Sequence, residues 1–278
     1  MYAKVDGLSY GLVTPLVAYV VACLGGAIGL RCLTRSLTTV QPGRAGWLAL
    51  SSAAFGTGVW LTHFVAMTGF SVVHTPFGYD PLTTFAGLGV GIVMVGTGIF
   101  IVGFRGITGP ALFTGGTVTG LGIASTHYMG MAGVRLGGRL EYNTLTVAAS
   151  VLIAVVAATG ALWAAGQGRG PRWNAAASMV MGLAVLGMHY VGMSAVRVHL
   201  HGAAADPSGD TPATPLLTMM IGPAVFLLLI AAVLLLAPAR ATGPAPRARS
   251  TGRLAVLPTQ RSRAHDLSRS RPRTPQNR

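Results

Sequence analysis

The stretch GTGVWLTHFVAMTGFSV, residues 56–72, places His63 near the end of a run made almost entirely of apolar and small residues. A polar ring buried there needs a partner. The partner is suggested by the chain repeating itself. GLGIASTHYMGMAGVRL (120–136) and GLAVLGMHYVGMSAVRV (182–198) align to the first stretch without gaps, at offsets of 64 and 62 residues. Only three of the 17 aligned positions are identical in all copies: a glycine (Gly56, Gly120, Gly182), the histidine (His63, His127, His189) and a methionine four residues later (Met67, Met131, Met193). The residue after each histidine is aromatic (Phe64, Tyr128, Tyr190), and the third is small (Ala66, Gly130, Gly192). An offset of this length is that of one helical hairpin, so the chain reads as three copies of a hairpin unit.

Composition sets the solvent. Of the 278 residues 51% are hydrophobic and 9% charged, against roughly 25% charged in ordinary soluble domains. Seven apolar stretches are each long enough to cross a bilayer: approximately Leu12–Leu30, Trp47–Phe70, Leu82–Phe104, Ala111–Val134, Leu145–Gln167, Ala175–Val196 and Leu216–Ala237. None contains Asp, Glu or Lys. The first is read as a retained span, because its leading region is barely basic and no small-x-small cleavage site precedes Arg31. The expected fold is all-α: a polytopic membrane bundle of seven helices, built from three hairpin repeats plus a seventh span, over residues 10–237.

The net charge of +14 does not indicate nucleic-acid binding. Ten of the 20 basic residues follow Pro238, in an Arg- and Pro-rich segment (238–278) expected to be a disordered cytoplasmic tail resting on anionic headgroups. Loop charge orients the chain. With the N-terminus outside, the short inner loops hold six basic residues and the outer ones four, and the tail adds ten inside. The expected location is the plasma membrane, N-terminus out and C-terminus in. The two cysteines, Cys23 and Cys32, form neither a disulfide framework nor a metal motif.

Histidine and methionine at i and i+4 share one helix face. Each even-numbered span reaches its histidine 14–16 residues from its inner end, roughly 21–24 Å up a core about 30 Å thick. The three histidines therefore lie at one depth. If spans 2, 4 and 6 pack around a common axis, three imidazoles meet there.

The pattern His-aromatic-x-small-Met, three times across seven spans, resembles the MHYT-domain family of bacterial integral membrane sensors. The third copy, MHYVGM (188–193), carries the Met-His-Tyr order intact, whereas Thr62 and Thr126 stand where the leading methionine would be in the first two. The resemblance implies copper held by His63, Met67, His127, Met131, Met188, His189 and Met193, and a response to oxygen, carbon monoxide or nitric oxide. Many members carry a cytoplasmic signalling domain after the last span, but the 40 residues after Pro238 are too few and too polar for a catalytic core, so a stand-alone form without a C-terminal signalling domain is expected.

Ligand chemistry points the same way. Neutral imidazoles and thioethers without a carboxylate suit copper, above all Cu(I), and disfavour magnesium, calcium and manganese. Zinc through three histidines would leave the methionines without a role, and haem is the main alternative cofactor because His and Met are both axial ligands. Other histidines, His74 and the His199-x-His201 pair, fall in outer loops. No nucleophile–base pair, paired carboxylates or phosphate loop is present, so an enzyme is not expected. The candidate functions are a copper-dependent sensor of a diatomic gas or redox state, or a transporter or channel for copper or another small solute. The donors form one layer near the outer face, which favours sensing over passage. A sensor without its own output domain calls for a separate signalling partner.

Overall fold

The computed structural model describes residues 2–3, 5–6, 11–40, 43–72, 78–200 and 213–236. Seven long helices carry the chain: α1 (Val13–Thr38), α2 (Gly43–Met67), α3 (Pro81–Arg105), α4 (Gly109–Ala132), α5 (Thr144–Gly166), α6 (Pro171–Ser194) and α7 (Ala213–Leu236). At about 1.5 Å per residue each is longer than a bilayer core about 30 Å thick. Six of the seven are also apolar enough to cross it, and the molecule is the helical bundle of a multi-pass membrane protein. The exception is α4, whose sequence is diluted by glycine, threonine and the site histidine. Half of its residues are buried against protein, so it needs less lipid-facing apolar surface.

The helices match the apolar stretches except at the end of α1, which runs on to Thr38 instead of stopping near Leu30. Arg31 and Arg35 thus belong to a helix, not a loop. Cys32 and Leu33 are fully buried there, and the Arg35 guanidinium lies 4.4 Å over the Trp47 ring of α2, a favourable cation–π contact. His74, His201 and the expected tail at 238–278 lie outside the described residues.

Consecutive helices pack as the pairs α1–α2, α3–α4 and α5–α6, and the pairs join through α2–α3, α4–α5 and α6–α1. Six helices therefore close a ring, with the even-numbered ones also touching one another and α7 lying against α1 and α2. The glycine that recurs in every repeat sits at the joints between pairs. A Cβ added at Gly56 would run into Ile92 of α3, at Gly120 into the backbone of Val155 of α5, and at Gly182 into Cys23 of α1. Only glycine allows the approach, and its recurrence follows from ring closure.

Short strands finish each repeat at the end nearest the histidines: β1 (Tyr2–Ala3), β2 (Val5–Asp6), β3 (Ser71–Val72), β4 (Gly78–Tyr79), β5 (Val134–Arg135), β6 (Gly138–Tyr142) and β7 (Val196–Leu200). The strand entering each pair of helices is antiparallel to the strand leaving it: β2 with β3, β4 with β5, β6 with β7. β1 adds to the other edge of β7. Each repeat is thus strand–helix–helix–strand, closed on itself. The helix starts repeat as well. Asp80 caps α3 by accepting from the Thr83 amide at 3.0 Å, and Asn143 caps α5 by accepting from the Thr146 amide at 3.1 Å, satisfying amides that lack helical partners.

Candidate metal centre

His63 lies four residues before the end of α2, and His127 and His189 each lie five residues before the ends of α4 and α6. The strand pairs fix those ends at a common level, so the ring brings the three side chains to one point. All are buried, at 3%, 1% and 3% exposure. The Nδ1 atom of His63 is 3.1 Å from that of His127 and 3.2 Å from that of His189. The rings stand edge-on to one another, with centroids 4.9–5.1 Å apart.

Small residues of the neighbouring helix seat the rings. A side chain at Gly130 of α4 would strike the His63 ring, and one at Gly192 of α6 would strike the His127 ring. Both glycines hold the small position three residues after a histidine. Phe64 and Tyr128 lie edge-on against the imidazoles that precede them. The Tyr128 hydroxyl shares a 2.6 Å hydrogen bond with the Ser150 hydroxyl of α5, and the Trp60 indole N–H donates to the Thr84 carbonyl of α3 at 3.1 Å. Each tie runs from an even helix to the next repeat and fixes its rotation.

This is the one place among the described residues where three histidine, cysteine or carboxylate donors converge, within 4.8 Å of one another. A neutral imidazole has one in-plane site at each nitrogen, either a proton or a lone pair. The single site on His63 Nδ1 faces two other nitrogens at once, so protons alone serve the trio poorly. Three lone pairs turned on a shared cation would use every Nδ1. Two nitrogens bound to one ion at about 2.0 Å in tetrahedral geometry are ~3.3 Å apart, close to the separations observed. The outer nitrogens, Nε2 of His63 and His127, are buried without a hydrogen-bond partner. The trio can hold a metal ion, and no carboxylate joins it to offset the charge.

The structure gathers the methionines only in part. Met67 and Met131 are closed to solvent, and with Met193 they belong to one apolar cluster that also holds Trp60, Phe64 and the strand residues Val196 and Val198. Met188 stands apart, in a second cluster with Met181 and Val185. Its counterparts, Thr62 and Thr126, turn their hydroxyls back on their own helices, to the Gly58 and Gly122 carbonyls at 2.7 and 2.9 Å. The position before each histidine therefore serves helix packing. His199 is in strand β7, not a loop, and faces Arg139 across the β6–β7 ladder.

Residues 56–115 and 120–178 match the MHYT family model, described as a bacterial signalling protein N-terminal repeat. The membrane domain belongs to this family. The MHYT chain is 35% identical over 199 residues to the bifunctional diguanylate cyclase/cyclic di-GMP phosphodiesterase MucR of Pseudomonas aeruginosa, covering 69% of this chain and 29% of MucR. It is 34% identical over 186 residues to a signalling protein of Caulobacter vibrioides, covering 66% of this chain and 22% of that one. Signalling protein YkoW of Bacillus subtilis matches at 28% over 201 residues, 69% of this chain and 25% of YkoW. The chain thus spans about a quarter of the length of the curated relatives it matches, and their enzymatic domains lie outside the aligned region. No solved structure matches.

The strands and the role of the repeat glycine were missed in the sequence. Both left a trace. VRVHL (196–200) and GRLEY (138–142) alternate apolar and polar residues as half-buried strands do.

Proposed function

We propose that this domain is a copper-dependent sensor, holding one copper ion through Nδ1 of His63, His127 and His189 with thioether sulfur from Met67, Met131 or Met193. The observation that carries the reading is a buried site in which Nδ1 of His63 lies 3.1 and 3.2 Å from Nδ1 of His127 and His189. With no carboxylate in the cluster, a monovalent soft ion suits it better than a divalent hard one. Met188 lies in the other apolar cluster and is left out of the ligand set. Haem fits poorly, because Nδ1 of His63 in contact with that of His127 and of His189 leaves no gap for a porphyrin plane.

Copper when bound supplies a centre that takes up a diatomic gas or changes oxidation state. The chain's own residues supply the transmission. Each histidine is rooted about one turn from a helix end, and His63 and His127 are pressed on Gly130 and Gly192 of the next even helix, so moving an imidazole moves α2, α4 and α6 together. The readout passes to a separate signalling partner at the inner helix ends, the N-terminus being outside and the tail at 238–278 cytoplasmic. The relatives' names, which include cyclic di-GMP turnover, suggest that class of output for the partner.

Metal analysis of purified protein tests the centre. The expected result is about one copper per chain, absent from a folded variant with all three histidines changed to alanine. Unchanged copper in that variant removes the proposal. Reporter fusions after residues 74 and 240 test the orientation and should read opposite sides, the second cytoplasmic.

A further inference from the structure

The three imidazoles are sealed, so an ion needs a way in. Among the described residues, a cavity of about 330 Å³ lies where α4 ends and β5 and β6 begin. Tyr128, Met131, Ala132, Leu136, Leu140 and Tyr142 line it. Its lining is graded. Ala132 and Tyr142 are exposed, Tyr128, Leu136 and Leu140 are half-buried, and Met131 is fully closed to solvent. Met131 is also one turn beyond His127 on the same face of α4. One thioether therefore borders both the cavity and the histidine layer.

Resting on the metal reading above, we propose that this cavity is the uptake site through which a soft monovalent cation, Cu(I), reaches the histidines from the outer face, with Met131 as the last donor before them. The lining suits such an ion. The Tyr128 and Tyr142 rings meet edge to face at 5.9 Å, giving π-faces that attract cations, and thioether sulfur prefers Cu(I) among the first-row ions. Charge at the opening does not oppose it. Arg135 of β5 is paired with Asp80, and Arg139 of β6 with Glu141, each at 2.8 Å. Alternation along β6 puts Gly138, Leu140 and Tyr142 on the cavity side and Arg139 and Glu141 on the opposite one. His199, paired across the ladder with Arg139, belongs to that opposite face and not to the path.

The test separates rate from capacity. Protein in nanodiscs is mixed with Ag(I), a redox-silent ion of similar ligand preference, and uptake is followed in time and at saturation. Ala132→Phe, which fills the opening, should slow uptake at least tenfold while the final amount stays that of the wild type. Tyr142→Leu, which removes the π-face at the mouth while keeping most of its bulk, should also slow uptake, again without changing the amount. Wild-type rates in both folded variants would overturn the proposal while leaving the metal centre standing. If the wild type takes up neither Ag(I) nor Cu(I), the metal reading falls and the uptake site with it. Should Ala132→Phe misfold, Tyr142→Leu alone decides, since removing a ring that lies off the path would leave the rate unchanged.

Discussion

Helices α4 and α7 have the same length and opposite characters. α7 is the most apolar helix of the chain. Its buried residues, Leu216, Met220, Pro223, Leu227 and Ile230, recur at spacings of three and four and form a single stripe, with leucines such as Leu228 and Leu236 exposed on the other sides. α4 is the helix too polar to qualify as a span by composition. It packs against α3 and α5, touches α2 and α6, and carries one of the three site histidines. Hydropathy thus measures how much of a helix faces lipid, not how central the helix is. Of the two, α4 has the larger share of its residues against protein and can spare leucine for glycine, threonine and histidine.

The largest expected effect separates the two helices by metal content. On the proposed copper centre, His127→Ala should remove most of the bound metal, because a shared centre loses geometry and not one third of its capacity, whereas Leu228→Ala in α7 should leave the metal content unchanged. Loss by thirds on successive histidine substitutions would mean three independent sites.

A smaller contrast concerns glycine. Gly120→Ala places a methyl group against the Val155 backbone and should destabilise the fold by about 1–3 kcal/mol, as overpacking does. Gly222 of α7 has open space where a Cβ would go, and Gly222→Ala should be neutral or stabilise by up to about 1 kcal/mol through helix propensity. Thermal unfolding of the two variants in one detergent checks the pair. Equal shifts would mean that α4 is no more tightly held than α7.

The smallest effect concerns pH at the start of α3, the partner of α4. Hydrogen bonds from the Thr83 side chain and amide, then the Arg135 guanidinium, lower the Asp80 carboxyl from 3.8 to about 2. A depressed carboxylate contributes stability that is complete above its unfolded value and lost as pH falls through its folded one. Acidification from pH 4 to 2 should therefore cost the wild type a component of its melting temperature that Asp80→Asn lacks. The effect is small because the carboxylate is only half-buried, its partner Arg135 is exposed, and solvent screens the pair.

Much of this architecture was legible in the sequence. Seven apolar stretches located the helices to within a few residues, apart from the last turns of α1, where Arg31 and Arg35 look like loop residues until Trp47 and the buried Cys32 are seen beside them. The meeting of His63, His127 and His189 was readable because the same spacing occurred three times, which turns one-dimensional offsets into a common depth. The methionines were less legible. Spacing gives the face of a helix but not the neighbour, so nothing in MHYVGM says that Met188 packs elsewhere while Met193 shares a cluster with Met67 and Met131. Two-residue strands such as β3 and β5 carry too short a pattern to read alone.

The glycine joints, finally, treat α6 and α1 as they treat α2 and α3. At its glycine joints the ring has no first member; only α7, against α1 and α2, and β1, on the edge of β7, mark one repeat out. Copies of a single strand–helix–helix–strand unit carry, between them, both halves of every joint. The same property sets a mechanical rule. In a closed ring of three, each unit has both others as neighbours, so no unit can turn alone.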